Sequence, residues 1–244
     1  MKPYAPLKTL LVLALCAAPL LASAQLSGNL SLTTNYKFRG QDQDTHKSKA
    51  VKPAIQGGFD YAFGDSGWYV GNWNSSVHWL PGNSIEMDVY GGYKFKAGDF
   101  DVDLGALLYA YPGNSSGNTT ELYAAATWGP VTAKYSHTVS EDYFGWAGAK
   151  AGSGLRGRNT GYFSLAFAQE IAPSTTLKAS VGFTRFASDI KDGGVPNYMD
   201  YQVGGAYDFG GGLSLAAAVA GANKKSYFGD ANKPRLLLTL TKTL

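Results

Sequence analysis

From Leu26 to Arg39 the chain reads Leu-Ser-Gly-Asn-Leu-Ser-Leu-Thr-Thr-Asn-Tyr-Lys-Phe-Arg, apolar at most even positions and polar at every odd one. Side chains of a strand alternate between faces, so Leu26, Leu30, Leu32, Tyr36 and Phe38 share one side and Asn29, Asn35, Lys37 and Arg39 the other. An unusually long two-faced strand directly behind an export-like leader reads as one stave of an outer-membrane barrel.

The leader is set apart before any fold is argued. Lys2 and Lys8 form a basic n-region, Thr9 to Leu21 an apolar h-region and Ala22-Ser23-Ala24 a small-residue cleavage site. This pattern predicts a cleaved signal peptide over 1–24 and a mature barrel domain over 25–244. The apolar stretch is shorter than the roughly 20 residues of a spanning helix. Cys16 fits a lipoprotein signal poorly, because Leu15 precedes it where a small residue is expected. It is also the chain's single cysteine, so the mature part offers no disulfide, thiolate metal site or thiol nucleophile. Two of the 21 basic residues lie in the leader, which leaves 19 against 18 acidic residues and implies no nucleic-acid partner. The 31 Gly, 10 Pro and 14% aromatics suit one all-β domain of many strands and tight turns.

The period-two signal recurs along the chain. In Val51 to Phe63, Ile55, Phe59, Tyr61 and Phe63 alternate with Lys52, Gln56 and Asp60. Trp68 to Trp79 carries aromatics in both phases. Ile85 to Ala97 sets Ile85, Met87, Val89, Tyr93 and Phe95 against Glu86, Asp88, Lys94 and Lys96. Phe100 to Ala110 sets Phe100, Val102, Leu104 and Leu108 against Asp101, Asp103 and Tyr109. Further segments are Thr120 to Trp128, Val131 to Val139, Tyr162 to Ile171, Thr175 to Phe186, Tyr198 to Phe209, Leu213 to Ala222 and Arg235 to Leu244. Leu213 to Ala222 also fits a short Ala-rich helix, but the Gly run before it and its neighbours favour a strand. About twelve strands, an even number, suit a bacterial barrel with both termini periplasmic.

Connections alternate in length. Gly64 to Gly67, Gly98-Asp99, Gly129-Pro130, Ala172 to Ser174 and Gly210 to Gly212 are tight. Gln41 to Ala50, Leu80 to Ser84, Pro112 to Asn118, Ser140 to Asn159, Ala187 to Asn197 and Asn223 to Pro234 are mostly longer and polar. Short periplasmic turns opposite longer external loops are the pattern of an antiparallel up-and-down transmembrane barrel. Phe63, Trp68, Tyr69, Phe95, Phe100, Trp128 and Phe209 near the short turns, and Phe38, Trp79, Tyr109, Tyr111 and Phe183 toward the long loops, suggest two interfacial girdles.

Several of these pieces, in order, resemble one family. They are Asn35-Tyr36-Lys37-Phe38-Arg39-Gly40, Pro53 to Tyr61, Trp68-Tyr69-Val70-Gly71-Asn72-Trp73, Glu86 to Tyr93, Tyr109-Ala110-Tyr111-Pro112-Gly113 and the closing Leu236 to Leu244. Together they resemble the TorF-type porins, proteobacterial proteins also called Gcw_chp, over nearly the whole mature chain and most densely from Leu26 to Gly113. The resemblance implies an outer-membrane porin barrel with no established solute. Leu244 stands where such proteins usually end in Phe, a departure that bears on barrel assembly.

Enzymatic signals are thin. Gly64-Asp65-Ser66-Gly67 is similar to the nucleophile segment of chymotrypsin-like proteases, yet it fits a tight turn. His46, His78 and His137 are the three histidines and lack ligand-like spacing. His137 with Ser136 or Ser140 is the first candidate for an outer-membrane lipid hydrolase. Gly148 to Gly157, with Lys150, Arg156 and Arg158, lacks the ending of a phosphate loop.

The polar phase faces the lumen of such a barrel. It places Lys37 and Arg39 on the first strand, Lys52 on the second and Arg235 on the last, a basic wall. Glu86 and Asp88 on the fourth strand and Glu121 on the sixth form an acidic wall elsewhere. Separated charges of this kind would set a transverse field, and local pairing is the alternative. A barrel of about twelve strands has an intermediate lumen. Ser140 to Asn159 either folds inward as a gate or extends outward. The expectation is a pore-forming barrel in a Gram-negative outer membrane, passing small hydrophilic solutes or ions without cofactor or metal. Its other partners would be lipid, lipopolysaccharide and an assembly machinery reading the last strand. A lipid-modifying enzyme and a closed structural or adhesive barrel are the alternatives.

Overall fold

The computed structural model describes residues 26–45, 50–148 and 152–244. The expected signal peptide, His46 and Lys150 lie outside the described residues. Twelve strands form the wall: β1 Leu26–Thr33, β4 Ala54–Ala62, β5 Trp68–Ser76, β6 Ile85–Ala97, β7 Phe100–Ala110, β8 Thr119–Trp128, β9 Val131–Thr138, β10 Gly161–Ala172, β11 Thr175–Arg185, β12 Tyr198–Gly210, β13 Leu213–Ala222 and β14 Arg235–Thr243. Two very short strands, β2 Lys37–Phe38 and β3 Gln41–Asp42, make a separate hairpin. Each wall strand pairs antiparallel with its neighbour in sequence, and β1 pairs with β14, so the sheet closes into a barrel and keeps no free edge.

The alternation decides which face looks outward. Across β4, β1, β14 and β13, Ile55, Leu32, Leu240 and Leu215 stand in one register row, and all four are exposed on the outer surface. A band of large apolar side chains facing outward is stable only against hydrocarbon. Their neighbours in the other phase, Ser31, Gln56 and Thr241, point into the lumen, where Ser31 and Thr241 share a 2.8 Å hydroxyl hydrogen bond. Leu213 to Ala222 is a strand, paired along its length with β12 and β14.

Short turns and long connections lie at opposite ends. Gly98 and Gly129 turn with φ of 61° and 55°, left-handed values that favour a residue without Cβ. The long connections contain the β2–β3 hairpin, α1 Ser188–Asp192 and α2 Lys225–Phe228.

The first strand is shorter than its alternation. It ends at Thr33, and Thr34 still donates its N–H to Leu238 O at 2.9 Å before the chain leaves the wall. The alternation continues through Phe38 because β2 is itself extended backbone; period two reports extension, not membership of a particular sheet. Tyr36 and Phe38 therefore do not face lipid. They pack inside with Trp73, Tyr109 and Phe144.

The aromatic girdle near the short turns is present: Phe63, Trp68, Phe95, Phe100, Trp128 and Phe209 are exposed, although Tyr69 faces inward. Of the expected upper girdle, Phe183 is exposed on the outer face and the other four residues are not. Tyr109 and Tyr111 are buried, and Phe38 and Trp79 pack beside them in a core that fills the long-loop half of the lumen. The outer aromatics at that level are Tyr135, Phe163 and Phe183, aligned in one row.

Candidate functional site

The β2–β3 hairpin crosses the barrel. Lys37 pairs with Asp42 and Phe38 with Gln41, leaving Arg39 and Gly40 as a two-residue turn with φ of 47° and 74°. That is the backbone sign of the tight hairpin turn matching strand twist. The tip abuts the wall at β12 and β13, and the Arg39 side chain carries on to β8 and β10. A Cβ on Gly40 would lie 2.6 Å from Gly221 O and 2.7 Å from Asp200 Cβ, so only glycine fits. Arg39 Nη2 meets Glu121 Oε2 of β8 at 2.6 Å, and its guanidinium lies 4.2 Å over the Tyr162 ring of β10. In the closed strand order β8 and β10 flank β9, the strand opposite β1. The hairpin thus spans the lumen from the seam to the opposite side.

Asp42 gathers the other bases. Lys37 Nζ approaches it at 3.0 Å, Lys52 Nζ at 3.5 Å and Arg235 Nε at 3.1 Å. Lys37 Nζ also donates to the carbonyls of Gly40 and Ala231, both at 2.9 Å. Burial pulls the Lys37 ammonium below its ordinary range, with the Asp42 carboxylate acting against the shift. On the acidic side, Tyr36 and Tyr111 both donate to Glu86, at 2.7 and 2.5 Å. Burial and then the Glu86 charge push the Tyr111 phenol upward. Glu86, Asp88 and Glu121 are at most 2% exposed. Charges held this deep are tolerated only with partners, since desolvating each costs several kcal/mol. Even so, Arg39 Nη1, Asp88 Oδ1 and Asp200 Oδ2 have no hydrogen-bond partner among the described residues.

All seven charged residues singled out in the sequence stand at this one level. Lys37, Lys52 and Arg235 come together, though Lys37 belongs to the hairpin and Lys52 precedes β4. Arg39 leaves that group and joins the acidic one, bridging the two sides. Sequence reasoning missed Asp42, Asp200 and the tyrosines. The signal for Asp42 was available, because a two-residue turn ending in Gly between Lys37-Phe38 and Gln41-Asp42 marks a hairpin. Of the Ser140 to Asn159 connection, Tyr143 and Phe144 fold inward, with Phe144 against Phe38 and Tyr109.

Below the hairpin, tyrosines pave the wall. Tyr90 lies across Gly71 and donates to Asp60 at 2.7 Å; Tyr162 lies across Gly182 and donates to Asp200 at 3.1 Å. Tyr69 covers Gly92 and donates to Asp103 at 2.7 Å, while Tyr123 covers Gly105 and its hydroxyl bonds that of Tyr69. A ring lies flat across a neighbouring strand only where that strand carries no side chain, so each glycine is a seat. Lys94 and Lys134 place their ammonium groups 4.5 and 3.9 Å over the Tyr69 and Tyr123 rings. Toward the short turns the inward Lys94, Lys96, Asp101, Gln202 and Asp208 are exposed.

The hydrolase candidates are not assembled. Ser136 and His137 are consecutive in β9 and face opposite sides; His137 Nδ1 lies 3.2 Å from the Tyr135 hydroxyl on the outer face. Ser140 Oγ donates to Asp142 O at 2.7 Å. Ser66 accepts from the Trp68 N–H within its turn at 3.2 Å. Among the described residues no group of three or more His, Cys, Asp or Glu is placed to hold a metal.

The barrel recurs in solved structures. The KdgM porin aligns with a TM-score of 0.56 at 10% identity, covering 88% of this chain and 98% of that chain. The NanC porin, in its rhombohedral crystal form, aligns with a TM-score of 0.56 at 13% identity, again over 88% and 98%. The KdgM porin in complex with disordered oligogalacturonate gives 0.54 at 10% identity, over 89% and 97%. At these identities the likeness is one of fold. No curated protein matches the sequence significantly. The family model described as a bacterial protein of unknown function (Gcw_chp) matches residues 18–243, and the chain belongs to that family.

Proposed function

We propose that the protein is a TorF-type porin of a Gram-negative outer membrane, passing small hydrophilic solutes or ions by diffusion, with the β2–β3 hairpin as its constriction. The observation that carries this reading is a belt of charged side chains set across the inside of a closed barrel whose outward row is apolar. Solute entering between the long connections meets Lys37, Arg39, Lys52, Arg235, Glu86, Asp88 and Glu121 where the hairpin yields, then descends along the tyrosine-paved wall to the exposed charges near the short turns. Export by the 1–24 leader and recognition of β14 by the assembly machinery belong to the same proposal. The fold of the KdgM and NanC porins supports it.

The test is single-channel recording in planar bilayers with a panel of ions and sugars, on the wild type and on a variant whose residues 37–42 are replaced by a Gly-Ser linker. A small wild-type conductance that rises in the linker variant is expected. The dense packing of the long-loop half favours a second reading, a closed structural barrel. Silence of both folded proteins would replace the channel with that reading.

A further inference from the structure

Two amides interrupt the outward phase of β5. Its outward side chains run Trp68, Val70, Asn72, Asn74 and Ser76, alternating with the buried, inward Trp73 and Ser75. In register, Asn72 stands between Phe59 of β4 and Val89 of β6, and Asn74 between Gly57 and Met87. Phe59, Val89 and Met87 are exposed on the outer face. Exposed apolar side chains also continue toward the short turns, at Val70 and Trp68, and toward the long connections, at Ile55 and Ile85. The pair is therefore enclosed by the apolar band. Other outward polar side chains, such as His137, Arg185 and Lys242, stand near strand ends.

The two amides bond each other. Asn72 Nδ2 donates to Asn74 Oδ1 at 3.0 Å, and Asn74 Nδ2 donates to Asn72 Oδ1 at 3.2 Å and to Gly57 O at 3.3 Å. An amide has two N–H donors and an oxygen with two acceptor positions. The second N–H of Asn72 and one acceptor position on each oxygen are thus left over among the described residues. Hydrocarbon meets none of these, and lipid headgroups lie beyond the ends of the apolar band. The complement is a protein surface with polar side chains at the same depth. A second copy inserted in the same direction carries them there by construction: about a two-fold axis along the membrane normal each amide meets amides at its own height, and a group that both donates and accepts is its own partner. The surface beside the pair is low. Gly57 has no side chain, and the Phe59 ring leans away from Asn72 over Gly28, where a Cβ would lie 3.0 Å from its Cδ1.

We infer that the outer face of β4, β5 and β6 around Asn72 and Asn74 is a homodimer interface, closed by amide hydrogen bonds between two copies of the chain. This rests on the membrane-spanning reading of the barrel but not on conduction, so the two fail separately: a silent barrel still pairs, and a conducting monomer removes the interface alone.

The experiment counts subunits by single-molecule photobleaching of the full barrel, labelled at a cysteine introduced by Asp99→Cys in a short turn, in vesicles of phosphatidylethanolamine and phosphatidylglycerol over a series of protein-to-lipid ratios. Two-step traces are expected for the wild-type face, falling to one step on dilution. Asn72→Leu with Asn74→Leu, which turns the patch apolar, should raise the dissociation constant at least about ten-fold. Val181→Asn on β11, diametrically across the barrel and 50% exposed, should leave it unchanged. Heat-modifiable gel mobility confirms that each variant folds, and the double Leu variant removes only polar groups from a lipid-facing surface. One-step traces at every ratio for the wild-type face, an equally stable pair in the double Leu variant, or a majority of three-step traces would each overturn the assignment, the last by excluding a two-fold contact.

Discussion

Arg39 and Glu121 meet at 2.6 Å inside the barrel although 82 residues separate them in the chain, one at the tip of a hairpin and the other on the far wall. Both side chains are almost fully buried. Removing one partner strands the other charge in a low-dielectric space, which costs about 3–5 kcal/mol, more than the net worth of the intact pair. Arg39→Ala is therefore expected to lower the urea midpoint in detergent and raise single-channel conductance, while Arg39→Ala with Glu121→Gln recovers much of the stability but stays open. A single variant as stable as the wild type would show that the pair does not hold the hairpin.

Gly40 tests the hairpin without altering charge. Its φ of 74° and the 2.6 Å that would separate an alanine Cβ from Gly221 O leave such a side chain both strained and blocked. Gly40→Ala should push the tip back from β12 and β13 and increase conductance, with ion selectivity little changed. Overpacking and left-handed strain together predict a loss of roughly 1–3 kcal/mol.

Asp42 is the shared acceptor of Lys37, Lys52 and Arg235. Asp42→Asn leaves three cations facing one another, so the reversal potential in a KCl gradient should move toward anion selectivity. Reversing Lys37, Arg39 and Lys52 to Glu should move it the other way. Selectivity indifferent to both changes would remove the belt from the conduction path.

The tyrosine seats make a different claim, about stability. Gly105→Val places branched carbon where the Tyr123 ring lies, and the expected cost is roughly 1–3 kcal/mol by overpacking. Tyr69→Phe removes only the hydroxyl bonded to Asp103 and Tyr123, and a loss of about 1 kcal/mol is expected. Chemical unfolding followed by tryptophan fluorescence would rank them, and a larger loss for Tyr69→Phe would contradict the seat.

Legibility from sequence followed the range of the interactions. Ile55, Leu32, Leu240 and Leu215 announce the wall because each strand carries its own alternation, a local property. Gly98-Asp99 and Gly129-Pro130 announce turns for the same reason. Nothing local separates Tyr36 and Phe38, which turn inward, from Leu30 and Leu32, which face out. That distinction is made by Trp73, Tyr109 and Phe144, tens of residues away in the chain. The charged residues of the belt were legible as inward-facing, whereas their pairing depended on where one two-residue turn redirected the backbone. His137 illustrates the converse: beside Ser136 in sequence, it is separated from it by the thickness of the sheet.

The hairpin hangs from the strand that seals the barrel, while its seat is built from β8, β10, β12 and β13. Until the first and last strands zip together, that seat and the segment meant to fill it have no fixed relation. Locking of Arg39 into its socket is thus expected late in maturation, after an unstoppered cylinder has formed. A probe on Arg39 would report closure of the seam from the opposite side of the molecule.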